Sequence, residues 1–137
     1  MILVDTNVWS ELTRPVPDPT VLLWEEQNAP RLWLATVVIG ELFSGAQLLP
    51  DGKRKQAFLT GYDALIQAYA DRIADFDLVA ARIYGRVVAD QINAGRDPGT
   101  ADSQIAAIAL ANGMSLATRN VRHFDGLGLE LVNPWEK

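Results

Sequence analysis

The sequence predicts an α/β fold: one domain over residues 1–137, with a central parallel β-sheet flanked by α-helices. Two observations carry this. Short apolar runs of strand length recur along the chain, and helical periodicity follows most of them. Two of these runs, "ILVDTN" and "SLATRN", share a form in which apolar residues pass directly into polar ones. Strands that alternate with helices imply a parallel sheet covered on both faces, because each parallel connection must cross over the sheet.

Residues 2–5 predict a buried strand, β-branched at Ile2 and Val4 and too short for a helix. Val8, Trp9 and Leu12 follow at helical spacing until Pro15, Pro17 and Pro19 stop that pattern. Asp18-Pro19 reads as the N-cap and first turn of a second helix, continuing through Leu22, Leu23 and Glu26. "RLWLAT" at 31–36 predicts the next strand, and residues 36–49 a helix with Thr36 as N-cap. Beyond the Asp51-Gly52 turn a longer helix is expected from Lys53 to Tyr69, then a strand in "RIADF" at 72–76. In residues 77–95, Val79, Ile83 and Val87 lie beside Tyr84, Val88 and Ile92, an apolar stripe at helical spacing that Gly95 closes. Residues 101–113 predict an Ala-rich helix capped by Thr100 and closed by Gly113. Residues 115–120 and 129–135 predict the last two strands.

Composition excludes several classes. Zero cysteines rule out disulfides, thiolate metal sites and a catalytic thiol. A single histidine, His123, argues against a conventional zinc site. No signal peptide is predicted, since only three apolar residues precede Asp5, and no run approaches the roughly 20 apolar residues of a membrane helix. A cytoplasmic protein with no membrane partner is expected. The net charge of −5 argues against coating nucleic acid through the overall field, but leaves room for an enzyme that holds a phosphodiester locally. The basic clusters Lys53-Arg54-Lys55, Arg82/Arg86 and Arg119/Arg122 each read first as solvated faces. There is no Gly-rich phosphate loop and no Ser-His pairing by spacing.

Three carboxylates stand out by their surroundings. Asp5 ends the first buried strand. Glu41 sits among Val38, Ile39, Leu42 and Phe43, a costly place for a charge unless it is partnered or faces a cleft. Asp102 shares a helical face with Ile105, Ala106 and Ala109, so it extends an inward-looking stripe. Singly, each has an ordinary structural role: a turn, a buried ion pair, a complement to a helix dipole. Ligands in open α/β sheets gather at the carboxyl ends of strands, where Asp5 and Asn120 lie. If that sheet gathers all three acids, their mutual repulsion calls for a divalent cation, and oxygen-only ligands favour Mg²⁺ or Mn²⁺.

The blocks "ILVDTNVWSEL", "TVVIGELFSGAQLL", "TADSQIAAIALANG" and "LATRNVRHFDGLGLELVNPW" together resemble the PIN-domain ribonucleases, and more narrowly the VapC/FitB-type toxins of bacterial toxin–antitoxin pairs. The resemblance spans the chain. It implies a single PIN domain that binds Mg²⁺ or Mn²⁺ through acidic residues and hydrolyses RNA to a 3′-hydroxyl and a 5′-phosphate. Carried over by position, Asp5, Glu41 and Asp102 match the family acids. A fourth position, aspartate in many members, falls on Asn120, which adds no charge and makes a second metal ion less secure. Asp125 stands five residues on as a substitute carboxylate.

On this reading Asp5 and Asp102 are the main ion ligands, Glu41 binds directly or through water, and Asn120 tunes the water network. Thr6 and Thr118 hold water or substrate, or else cap their turns. Arg119 and Arg122 steer the RNA backbone. The resemblance also implies a small DNA-binding antitoxin that inhibits the enzyme with an arginine at the acids, and a homodimer whose surface draws on Trp9, Trp24 or Trp33. Two other readings stand beside it. A phosphatase forming a phospho-aspartate needs a second aspartate two residues after the first, where this chain has Asn7. A non-cleaving module of the same fold would bind RNA or an antitoxin and keep its acids for packing.

Overall fold

In the computed structural model, which describes residues 1–137, the five strands are brief. They are β1 (Ile2–Val4), β2 (Leu32–Ala35), β3 (Ile73–Ala74), β4 (Ser115–Ala117) and β5 (Leu131–Val132). They form one sheet in the order β3-β2-β1-β4-β5, every pair parallel. Between them run α1 (Thr6–Leu12), α2 (Pro19–Asn28), α3 (Thr36–Gln47), α4 (Lys53–Ala68), α5 (Leu78–Asn93) and α6 (Thr100–Ala111). The predicted α/β class and parallel sheet are therefore observed.

This order has a physical consequence for the site. From β1 the chain builds outward to β2 and β3, then returns through α5 and α6 to lay β4 on the other side of β1. The crevice of such a sheet opens where these two directions part, at the carboxyl ends of β1 and β4. Val4 stands in register with Leu34 on one side and Ala117 on the other, so Asp5 emerges at the middle of the sheet.

The core is the sheet's own apolar rows, Ile2, Leu3, Val4, Leu32, Leu34 and Leu116, clamped by side chains from both helical layers. Being buried on both faces, the strands read as continuous apolar runs without polar alternation. On α6 even the alanines Ala106, Ala107 and Ala109 are fully buried. Small side chains let α5 and α6 approach closely, and these helices pack along their length. Trp9, from the first helix, is 1% exposed and meets Tyr69 edge-on at 5.1 Å.

Several local expectations are corrected. Ala35, the last residue of β2, is itself the N-cap of α3, so Thr36 lies inside the first turn. Its hydroxyl instead accepts the Phe76 amide at 3.3 Å and ties α3 to the segment after β3. Gly99, not Thr100, caps α6; glycine is tolerated there without a side-chain bond. On α5 the buried face is Ala80, Val87 and Gln91, a rotation away from the apolar stripe. Val79 and Ile92 are consequently 56% and 59% exposed. Strand ends were overreached because polar residues after each run belong to caps and turns. Of the tryptophans proposed for a dimer surface, Trp9 is removed by burial, while Trp24 and Trp33 are half-buried against the core. The predicted Asp18 cap is present, its carboxylate accepting the Thr20 amide at 2.8 Å. No helix is long and apolar enough to cross a membrane.

Candidate active site

Asp5 is the floor of the site. Its amide prolongs the sheet by donating to the Ala117 carbonyl at 2.9 Å, and its side chain then caps α1. One carboxylate oxygen, Oδ1, accepts the Thr6 amide at 2.7 Å. The other, Oδ2, accepts the Thr118 hydroxyl at 2.8 Å and the Asn7 side-chain amide at 3.3 Å. The residue is only 4% exposed. Burial pushes its pKa up from the ordinary carboxylate value; the bonds from Thr118 and Thr6 oppose this, and the charges of Asp102 and Glu41 add to it. Those last two contributions show that the three acids share an electrostatic neighbourhood.

Glu41 reaches that neighbourhood by helical geometry. Val38, Leu42 and Ala46 of α3 turn to the core, which leaves Glu41 on the exposed side. Its apolar sequence surroundings therefore carry no desolvation cost, because the side chain faces the cleft. Its Oε1 accepts the Thr6 hydroxyl at 2.6 Å. Thr6 thus touches two acids at once, through its amide to Asp5 and its hydroxyl to Glu41. Asp102, half-buried in the first turn of α6, has its Oδ2 3.2 Å from Nδ1 of His123.

Asp5, Thr6, Glu41, Asp102, Arg119 and Asn120 all line one cleft of about 650 Å³. Two predicted residues fall elsewhere. Thr118 is completely buried, beneath the cleft: it accepts the Asn120 amide at 3.0 Å and its hydroxyl donates a hydrogen bond to Asp5. It supports a carboxylate and does not face substrate. Arg122 lies in a second depression with Gln91, Arg96 and His123, which Asp102 also lines. Asp125 is exposed outside the cleft, its carbonyl holding the Arg96 guanidinium.

Sequence reasoning missed the apolar arm of the cleft, formed by Leu49, Phe58 and Tyr62, and the tryptophan at its other end, Trp135. It also missed His123 as the partner of Asp102. Phe58 and Tyr62 on α4 had helical spacing as their only signal, which predicts a core face as readily as a cleft wall. Glu11 is a further surprise: it is buried, and it holds Arg14 at 3.1 Å and the Asp18 amide at 3.0 Å.

The donor set can be weighed against the ion it was expected to hold. No three acidic or histidine side chains converge into a ready-made cage. Mg²⁺ does not demand one, since it usually keeps several waters and takes only one or two carboxylates. A buried Asp5 with two like charges near it, on a cleft that also carries Glu41 and Asp102, fits that habit.

Against this geometry the comparisons are direct. The PIN domain family model matches residues 2–128. The chain belongs to the PIN-domain family. Among its relatives, the VapC ribonuclease Y4jK of Sinorhizobium fredii is 40% identical over 99% of both chains. Toxin FitB of Neisseria gonorrhoeae is 33% identical over 98% of this chain and 99% of its own. A solved structure of FitAB bound to the IR36 DNA fragment superposes with a TM-score of 0.92 at 32% identity, covering 100% of this chain and 97% of that one. This PIN domain is thus similar over its whole length to VapC and FitB toxins.

Proposed function

We propose that this PIN domain is a metal-dependent endoribonuclease, the toxin of a type II toxin–antitoxin pair. The observation that carries the reading is Asp5: a buried carboxylate at the central strand's end, with two further acids in electrostatic range on one open cleft. Full-length similarity to a relative named as a ribonuclease supports it.

Asp5 and Asp102 would hold the ion, with Glu41 joining them directly or through a water. When bound, Mg²⁺ or Mn²⁺ supplies a water of lowered pKa and neutralises charge developing on the phosphate. The chain's own residues do the rest. Thr118 and the Thr6 amide donate to Asp5, which favours its ionised form and orients the carboxylate. The Thr6 hydroxyl fixes Glu41 where it can accept a proton from the attacking water. Asn120, exposed at the rim, hydrogen-bonds water or a phosphate oxygen. Arg119 attracts the RNA backbone. The products are a 3′-hydroxyl and a 5′-phosphate.

The same acids explain an inhibitor. A cognate DNA-binding antitoxin that places a guanidinium among them would occupy the ion's position and match two carboxylate oxygens at once. A homodimer is part of the same proposal.

Purified protein, freed of any partner, should cleave structured RNA with Mg²⁺ and stop in chelator. Asp5→Asn and Asp102→Asn should each reduce cleavage by at least about a hundredfold, the scale expected when an ion ligand or its positioning is lost. Cleavage that persists in chelator would remove the metal mechanism. Cleavage unchanged by both substitutions would remove the site.

A further inference from the structure

Two guanidinium groups on the cleft lie over aromatic rings. The Arg54 guanidinium carbon is 5.7 Å from the Phe58 ring centroid. That of Arg119 is 4.8 Å from the Trp135 ring. All four residues line the same cleft as the three acids. The sheet order separates the pairs. Phe58 sits on α4, which packs on α3, the helix that follows β2, whereas Arg119 and Trp135 follow β4 and β5 on the opposite side of β1 from β2. Asp5 ends β1, the strand between β2 and β4.

We infer that, if the nuclease reading holds, the cleft takes single-stranded RNA with one unpaired base on each side of the acids, seated on the Arg54–Phe58 pair and the Arg119–Trp135 pair. Both arginines are exposed and neither has a carboxylate partner, unlike Arg14, which is held by Glu11. A guanidinium laid on a ring keeps its charge within reach of a phosphate and presents a flat π surface to a base. Phe58 itself packs against Tyr62, with centroids 5.9 Å apart and planes inclined by 32°. Much of the cleft wall is polar or charged, which suits a polyanion better than the apolar face of a peptide helix. Free arginines in a protein of net charge −5 mark where that polyanion lies. Stacking tolerates any base, so these platforms select for unpaired nucleotides and leave sequence choice to other contacts.

The test uses Asp5→Asn protein, which binds without cutting, and short labelled oligoribonucleotides whose binding is read by fluorescence anisotropy. Phe58→Ala and Trp135→Ala should each weaken single-strand binding about tenfold, in line with base stacking on aromatic side chains. Phe58→Tyr and Trp135→Phe should restore most of it. Oligonucleotides with abasic positions at the stacked sites should no longer distinguish the alanine variants from their parent, and a fully paired duplex should bind poorly. Arg54→Gln and Arg119→Gln, at exposed positions that leave the core intact, should each lower the salt dependence of binding by about 0.7 in the log–log slope. The proposal is overturned if folded alanine variants bind as tightly as the parent or if duplex binds as well as single strand. It is also overturned if an amphipathic peptide fills the cleft while RNA binding ignores both rings. The two readings fail separately. Ring-dependent binding without cleavage by the unsubstituted protein leaves the platforms and removes the nuclease; cleavage with ring-independent binding does the reverse.

Discussion

The Thr118 hydroxyl donates a 2.8 Å hydrogen bond to Asp5 across 113 positions of sequence, and both side chains are buried. That bond is the chief local force holding the aspartate's pKa down against burial. Thr118→Val keeps the shape and removes the donor. Its expected cost is about 1–3 kcal/mol of stability when Asp5 is ionised, because a buried acceptor loses its partner. The acidic limb of the pH–rate profile should move to higher pH. An unmoved limb in a stably folded variant would show that Thr118 does not govern the ionisation of Asp5.

The sign of the Asp5 shift makes a separate prediction for metal-free protein. Its folded pKa is raised above the unfolded value, so the folded state binds more protons between the two. Whatever this group contributes to stability is fully present below the unfolded pKa and is lost as pH rises through the folded one. Above the unfolded pKa the cost of ionising this buried carboxylate therefore destabilises the fold. Asp5→Asn in chelator should melt higher than the parent at neutral pH, and the difference should vanish in acid. A lower melting temperature at pH 7 contradicts this.

Divalent cations should reverse the penalty. An ion that binds only the folded state stabilises by about 2.7 kcal/mol at a hundred times its dissociation constant. Mg²⁺ titrations followed by thermal melting should raise the parent's midpoint and leave Asp5→Asn unmoved. Equal shifts in both proteins would place the ion elsewhere.

Asn120 stands at the rim where a further charge would help hold a cation. Asn120→Asp should tighten Mg²⁺ binding several-fold, measured by the same melts or by calorimetry, because it adds a carboxylate to a partly wet site. The change should also raise the pKa of Asp5 further in the absence of metal. No gain in affinity would mean that the Asn120 side chain points away from the ion.

Behind these residues α6 does structural work. Ile108→Ala removes a fully buried side chain from the helix that carries Asp102. A loss of about 2–5 kcal/mol in denaturant unfolding is expected.

Much of the fold was legible because its strands are buried on both faces and its helices are punctuated. Ile2–Val4 could be little else, and Asp18-Pro19 announces α2 with a capping carboxylate before a ring that fixes the first helical position. Asp5 and Asp102 were legible for the same reason, as polar residues at places where the pattern turns inward. Thr36 and Thr100 misled because capping propensity is weak beside the geometry of a strand passing straight into a helix or a glycine entering one. The face of α5 was misread since Ala80 and Gln91 carry little apolar weight, yet packing against α6 chose them. His123 beside Asp102 and Thr118 beneath Asp5 were invisible to spacing: each pairing exists only once the sheet has brought distant turns together.

One consequence of the strand order concerns the protein while it is still being made. Asp5 leaves the ribosome more than a hundred residues ahead of β4, which lies beside it, and of Thr118, which holds it. Trp135 comes later still. An emerging chain therefore carries its first acid for most of synthesis with no cleft around it. Asp5 gains its Thr118 partner only once β4 has joined β1.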